Sequence, residues 1–260
     1  MKIFLQRKIG EQKYIVNFIK GIHSGLYMKT IWACVHAYIF HWKEWHKRKP
    51  INLVGEKMEI YIVRHGTTPW NEKRKLQGRV DIELNEAGRE VARLTGIALE
   101  GTKFDKIYSS PLIRAYETAC LIRSNKDNIP IIRDERLREI HFGDFEGQSA
   151  IELQKDQSNS FHYFFTEPEK YQKTGEGEDF IEVCKRTKEF MKQVIEPEKD
   201  DLERVMIVGH GAMNKAIMCY VLNHGIEQYW SGGLQTNCGI DIINLDDNGY
   251  TLIQRNKKFY

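Results

Sequence analysis

Two rhythms of apolar residues alternate along the chain from Met58 onward. Glu59-Ile-Tyr-Ile-Val63 is a short apolar, β-branched run, the pattern of a buried strand. Asn85 can cap a helix whose apolar face would use Val91, Leu94 and Ile97, with Gly101 just past its end. Lys106-Ile-Tyr-Ser109 predicts a second strand. Ser110 as cap and Pro111 in the first helical position then predict a helix running through Ala119 and Ile122. Ile131-Ile132 is a weaker third strand. Phe180 to Val194 has helical spacing, with Val183, Phe190 and Val194 on one side and Pro197 beyond. Val205-Met-Ile-Val208 predicts a fourth strand, and a helix comes next, from Ala212 to about Leu222. Ile240–Leu245 and Tyr250–Ile253 form a hairpin through Asp247-Asn248-Gly249. Strands alternating with helices imply an α/β fold: a mainly parallel sheet, covered on both faces, that binds ligands beyond the carboxyl ends of its strands.

Composition changes the picture only upstream of Met58. Residues 1–57 hold 11 Lys+Arg and 3 Asp+Glu, a net of +8, whereas the remainder holds 28 and 33, a net of −5. The first segment also carries three of the five Trp and four of the nine His, so a boundary falls near Pro50 to Lys57. Three readings of 1–57 stand. A misassigned start codon ahead of Met58 ranks first, a helix packed on the domain or on a second subunit next. Last comes an aromatic, basic helix (Ile31, Val35, Tyr38, Ile39, Trp42, Trp45) lying on an anionic membrane surface. The whole-chain charge of +3 gives no warrant for nucleic-acid binding by the body. Five scattered Cys (34, 120, 184, 219, 238) argue against a disulfide framework and point to a reducing, cytoplasmic setting.

The residues just beyond the strands are basic, imidazole-rich and acidic. Arg64-His65-Gly66 comes after the first strand, Arg114 sits in the helix after the second, and Gly209-His210-Gly211 comes after the fourth. A Gly-flanked loop, Leu137 to Gly143, supplies Glu139. Each taken singly has an ordinary structural explanation. Together, two His, two Arg and one Glu at one sheet edge suit a phosphate monoester. Guanidinium groups pair with its oxygens, and amides at the helix starts after Pro111 and Gly211 would add donors. A neutral imidazole can take the phosphoryl group, and a carboxyl can serve the leaving oxygen and then water. A zinc site built from the two His and the Glu is the rival, disfavoured because adjacent arginines repel a dication.

The motifs, in order, are Arg64-His-Gly-Thr-Thr-Pro-Trp-Asn71, Leu76-Gln-Gly-Arg-Val-Asp81, Leu84-Asn-Glu-Ala-Gly88, Ser109 to Ala115 with Thr118, Leu137 to Gly147, Gly175 to Phe180, and Val208 to Gly211. This series resembles the histidine phosphatase superfamily, in its phosphoglycerate-mutase-like branch, over about Met58 to Leu245. The resemblance implies a three-layer α/β/α sandwich, a mainly parallel sheet with an antiparallel edge strand, as one catalytic domain over 58–260. It implies His65 as nucleophile, Arg64, Arg114 and His210 as phosphate clamp, and Glu139 as proton donor and acceptor. Asn71, Thr68, Gln77, Gly78 and Gly211 are implied to bind substrate. No metal and no organic cofactor are needed, and the partner is a small-molecule phosphate ester. Two positions depart from the pattern: Thr67, where many members have Glu, and Asp179, where many have Ser. Asp179 can cap the helix after it.

Within that branch the sequence favours hydrolysis over mutase-type phosphoryl transfer, and both over a non-catalytic scaffold. No Arg occurs from Glu139 to Lys185, the insertion where mutases carry an Arg pair. That stretch offers Phe161-His-Tyr-Phe-Phe165 and Tyr171 instead. These aromatics can pack inward as a lid or receive an apolar or ring-bearing leaving group, the former ranked first. Neither the physiological substrate nor the oligomeric state is legible.

Overall fold

The computed structural model describes residues 57–124 and 128–260. The amphipathic helix expected within 1–57 lies outside the described residues. The elements are β1 (Met58–Arg64), α1 (Pro69–Glu72), α2 (Glu86–Ala98), β2 (Lys106–Ser109), α3 (Ile113–Arg123), β3 (Ile131–Arg133), α4 (Ala150–Lys155), α5 (Phe180–Phe190), β4 (Arg204–Gly209), α6 (Gly211–Leu222), β5 (Ile240–Asp246) and β6 (Gly249–Lys257). Among the described residues, no helix is long and apolar enough to cross a membrane.

One six-stranded sheet has the order β3-β2-β4-β1-β5-β6. The β1, β2, β3 and β4 strands pair in parallel, β5 runs antiparallel to β1, and β6 pairs antiparallel with β5. The sheet is thus mainly parallel with an antiparallel edge, as expected, and the antiparallel pairing at that edge is that of β5 and β6. A hairpin through Asp247-Asn248-Gly249 forces this, because a tight turn can only return the chain beside its own strand.

Strand alternation sorts the core into layers. Met58, Ile60 and Ile62 of β1 point to one face, where Phe190, Met213 and Ile217 cover them. Tyr61 and Val63 point to the other, against Ala115, Ala119 and Ile122. β1 is buried on both faces because it sits in mid-sheet, which explains its unbroken apolar run. A third cluster caps the carboxyl ends of the strands. It is aromatic, with Phe161 and Phe164 stacked at 4.8 Å and Phe180 4.2 Å from Tyr229.

Three sequence expectations shift. The face predicted for α2 is the outer one: Leu94 is 40% and Ile97 64% exposed, and the buried positions are Gly88, Ala92, Thr95 and Gly96. Small residues let α2 approach α3 closely, which leaves the larger side chains outside. A Cβ on Gly96 would sit 2.8 Å from the Ile122 carbonyl oxygen. α3 begins at Ile113, not Pro111, with Leu112 in the cap position. Ser110 still accepts the Leu112 amide, at 3.3 Å. α5 ends at Phe190 and continues as a π-turn, Met191–Ile195, which buries Met191 and Ile195. Asp179 caps α5 as expected, in a reciprocal box with Glu182.

Gly96→Val should therefore push α2 off α3 and cost about 1–3 kcal/mol, the usual range for overpacking. A lowered urea midpoint with an unchanged slope would show it; an unchanged midpoint would mean that the two helices do not meet closely at this position.

Candidate active site

Sheet register sets the first pair of groups. Arg64 lies opposite Gly209, and the His65 amide donates to the Gly209 carbonyl at 2.9 Å. His65 and His210 consequently leave neighbouring strands side by side, with ring centroids 5.2 Å apart. From the next strand over, the Ser110 amide donates to Val208 at 3.0 Å, so Ser110 sits level with them. Its hydroxyl is 2.7 Å from His210 Nε2.

His65 is 3% exposed, and its Nδ1 lies 2.7 Å from the Gly66 carbonyl oxygen. A carbonyl can only accept, so Nδ1 carries the proton and Nε2 keeps its lone pair. Burial, then the Arg114 and Arg64 charges, hold the imidazole well below its ordinary range. His210 is lowered in the same way, by burial and then by Arg114 and His65. Burial also pushes Arg114 down to about 10, against the pull of Glu139 and Asp81.

Arg114 is fully buried and anchored by carbonyls. Its terminal nitrogens donate to Val80 at 3.0 Å, Gln77 at 3.2 Å and Gly78 at 2.9 Å. Arg64 donates to the Gln235 carbonyl at 2.5 Å. In each, Nε is buried without a partner, as is Nδ1 of His210. A buried polar nitrogen without a partner is costly, so two guanidinium donors and one imidazole nitrogen left unpaired beside His65 describe a place for an anion.

Glu139 enters from the loop above the sheet. Its carboxylate accepts the amides of Met213 at 2.9 Å, Ile140 at 3.0 Å and Ala212 at 3.1 Å. Two of these belong to the first turn of α6, so they serve the carboxylate and leave the Gly211 amide for a ligand. The helix start after Pro111 is likewise spent: the Ile113 amide donates to Asp81 at 2.7 Å. Both corrections have one cause, since a carboxylate in reach captures helix-start amides.

A cavity of about 290 Å³ opens onto these groups. Of the ten residues singled out from the sequence, Arg64, His65, Asn71, Gln77, Glu139 and Gly211 line it. Arg114 and His210 are not in its lining; both are fully buried, with the His210 ring beside His65. Thr68 and Gly78 are also outside the lining. Thr68 caps α1 and donates to Gln77 at 2.7 Å, while Gly78 offers its carbonyl to Arg114. Phe164 and Phe165 line the cavity, and Phe161 is buried behind them. The aromatic segment therefore both packs inward and forms a wall. Among the described residues, no three His, Cys, Asp or Glu side chains converge as a metal would require.

Several participants carried no distinguishing signal in the sequence. The Glu139 carbonyl accepts Arg79 at 3.1 Å and Arg186 at 3.2 Å. Both arginines pair with Glu178, at 3.0 Å and 2.8 Å. Burial alone would raise the Glu178 carboxyl, but Arg186 and Arg79 hold it below its ordinary range. Asn237 donates to the carbonyls of His65 and Gly66 at 2.9 and 3.2 Å and fixes the loop behind the imidazole. Arg79 and Glu178 fall within recognised motifs that give them no role. Arg186 and Asn237 reach the site only through the fold.

With this geometry in hand, comparison with known proteins is specific. Residues 60–258 match the family model described as "Histidine phosphatase superfamily (branch 1)". "Phosphoserine phosphatase 1" of Hydrogenobacter thermophilus is 30% identical, over 76% of this chain and 92% of its own length. The "Metal-independent phosphoserine phosphatase" of Arabidopsis thaliana is 29% identical over 84% and 89% respectively. Among solved structures, Bacillus stearothermophilus YhfR superposes with a TM-score of 0.71 at 33% identity, covering 78% of this chain and all of that one. The chain belongs to branch 1 of the histidine phosphatase superfamily.

Proposed function

We propose that the protein is a phosphomonoesterase that hydrolyses a small organic phosphate through a phosphohistidine on His65. The observation that carries this reading is the set of three buried, unpartnered nitrogens on Arg64, Arg114 and His210 beside a neutral imidazole. The names of the relatives support the class of reaction.

In the first step His65 Nε2 attacks phosphorus and the bond to the ester oxygen breaks. The Glu139 carboxyl gives its proton to that oxygen, and the alcohol leaves. In the second step water attacks the phosphoryl group, and Glu139 takes the proton from it. The N–P bond breaks, so inorganic phosphate departs and His65 is neutral again. Arg64 and Arg114 offset the charge on the phosphoryl oxygens throughout, and neutral His210 serves them by hydrogen bonding. The Glu178–Arg186–Arg79 cluster keeps the Glu139 backbone in place and touches no reacting atom; it is a positioning group.

Purified protein should hydrolyse an aryl phosphate in the presence of a chelator, and His65→Ala should lower the rate about a thousandfold or more, the scale seen on losing a nucleophile. A rate restored only by added zinc, or retained in His65→Ala, would reject the proposal.

Glu139→Gln should slow alkyl phosphates by about 10²-fold, within the usual range for a general acid, and nitrophenyl phosphate much less. Arg186→Met should reproduce that pattern about tenfold more weakly, with partial rescue in Arg186→Lys. Equal slowing of both substrate types would remove the acid role from Glu139.

The proton states also bear on stability. His65 and His210 remain neutral in the native protein well below 6.5, while in the unfolded chain each takes up a proton near that pH. Stability contributed by these sites is therefore intact above about 6.5 and declines as the pH falls below it, with a limiting slope of about 1.4 kcal/mol per pH unit for each imidazole. Urea midpoints at pH 7, 6 and 5 should fall in that order; a constant midpoint would mean that both rings protonate in the folded state.

A further inference from the structure

The cavity that holds the reacting groups has a second, separate chemistry. Away from His65 most of its wall is apolar, with Phe142, Phe164, Phe165, Ile151, Trp230 and Leu234. Two cations, Arg74 and Lys75, and one neutral amide, Gln154, also line it, all three on exposed residues. Glu139 is the one acid in that lining, and three amides already hold its carboxylate. Nothing on the wall offsets the added positive charge.

Arg74 is the more informative of the two. Among the described residues its guanidinium makes no hydrogen bond and no ion pair. Its backbone has φ 51°, in the left-handed region that favours glycine. That conformation is fixed from both sides: the Arg74 amide donates to Asn71 at 3.0 Å, and the Ala150 amide donates to the Arg74 carbonyl at 3.0 Å. A long charged side chain thus occupies a position whose backbone disfavours it, and it has no partner within the described fold. Lys75 is different, since its ammonium lies 5.7 Å from the Trp70 ring and so has an aromatic partner.

We infer that Arg74 is a specificity-determining residue, and that the site accepts phosphate monoesters whose leaving group is an apolar or aromatic body carrying a second anionic group. The phosphate occupies the donors around His65, the body lies against Phe165 and Trp230, and Arg74 reads the distal charge. This rests on the phosphomonoesterase reading for the near end of the cavity. The distal group can be a carboxylate or a second phosphate, which a guanidinium recognises by the same paired hydrogen bonds.

The test compares 4-carboxyphenyl phosphate with 4-carbamoylphenyl phosphate, which are nearly equal in shape and differ in charge. The full chain should prefer the carboxylate by about tenfold in kcat/KM at low salt. High salt should reduce that preference, because the contact is exposed. Arg74→Ala should bring the ratio to within about threefold of unity, Arg74→Lys should keep part of it, and Lys75→Ala should leave most of it. No preference in the unmodified protein, or an undiminished one in Arg74→Ala, would overturn the inference. So would a preference lost in Lys75→Ala alone.

Calorimetric titration with 4-carboxybenzylphosphonate and its carbamoyl counterpart, neither of which can be hydrolysed, separates the two readings. Charge-selective binding that depends on Arg74, in a protein inactive towards every ester, would sustain the subsite and reject the hydrolase. Hydrolysis with no charge selectivity in rate or binding would do the reverse. Failure of both activity and binding would reject both.

Discussion

Buried positive charge around His65 is the constraint on which the molecule is organised. Arg64 and Arg114 share a desolvated space with two imidazoles, and burial lowers the affinity of all four for protons. Such a cluster persists only where acceptors surround it. Three carbonyls from Gln77, Gly78 and Val80 hold Arg114, and the Gln235 carbonyl holds Arg64. The loops that supply these acceptors have no regular structure of their own, and this service accounts for their course. An anion would complete the set by meeting the donors that remain.

Glu139 poses the opposite problem, because a carboxylate near two arginines must be kept from collapsing onto them. Amides of Ile140, Ala212 and Met213 orient it from one side. From behind, Arg79 and Arg186 grip its backbone, and Glu178 neutralises both. Charge thus alternates outward from Glu139, which places its carboxylate without consuming its oxygens in an ion pair.

The aromatic cluster above the strand ends both packs inward and walls the cavity. Phe161 and Phe164 stack in its interior, and Trp230 is tied to Phe164 by an indole hydrogen bond of 2.5 Å. Rings held in this way present a rigid apolar wall and lose little freedom when a ligand settles on them. Besides Arg64, the cations of the cavity come from Arg74 and Lys75, beside α1, and none comes from the stretch between Glu139 and Lys185.

The sequence by itself determined the alternation of strands and helices, the groups just beyond β1, β2 and β4, and the family. Those features are local, or repeat at fixed spacing, and period and motif order carry them. It did not determine the buried face of α2, since apolar periodicity cannot foresee that Gly96 permits a close approach to α3. Nor could it tell that the amides of α6 would serve Glu139, that Arg186 would reach a carbonyl 47 positions away, or that Arg74 would stand over the cavity. Each of those depends on which distant atoms come within hydrogen-bonding reach, and only the folded chain sets those distances.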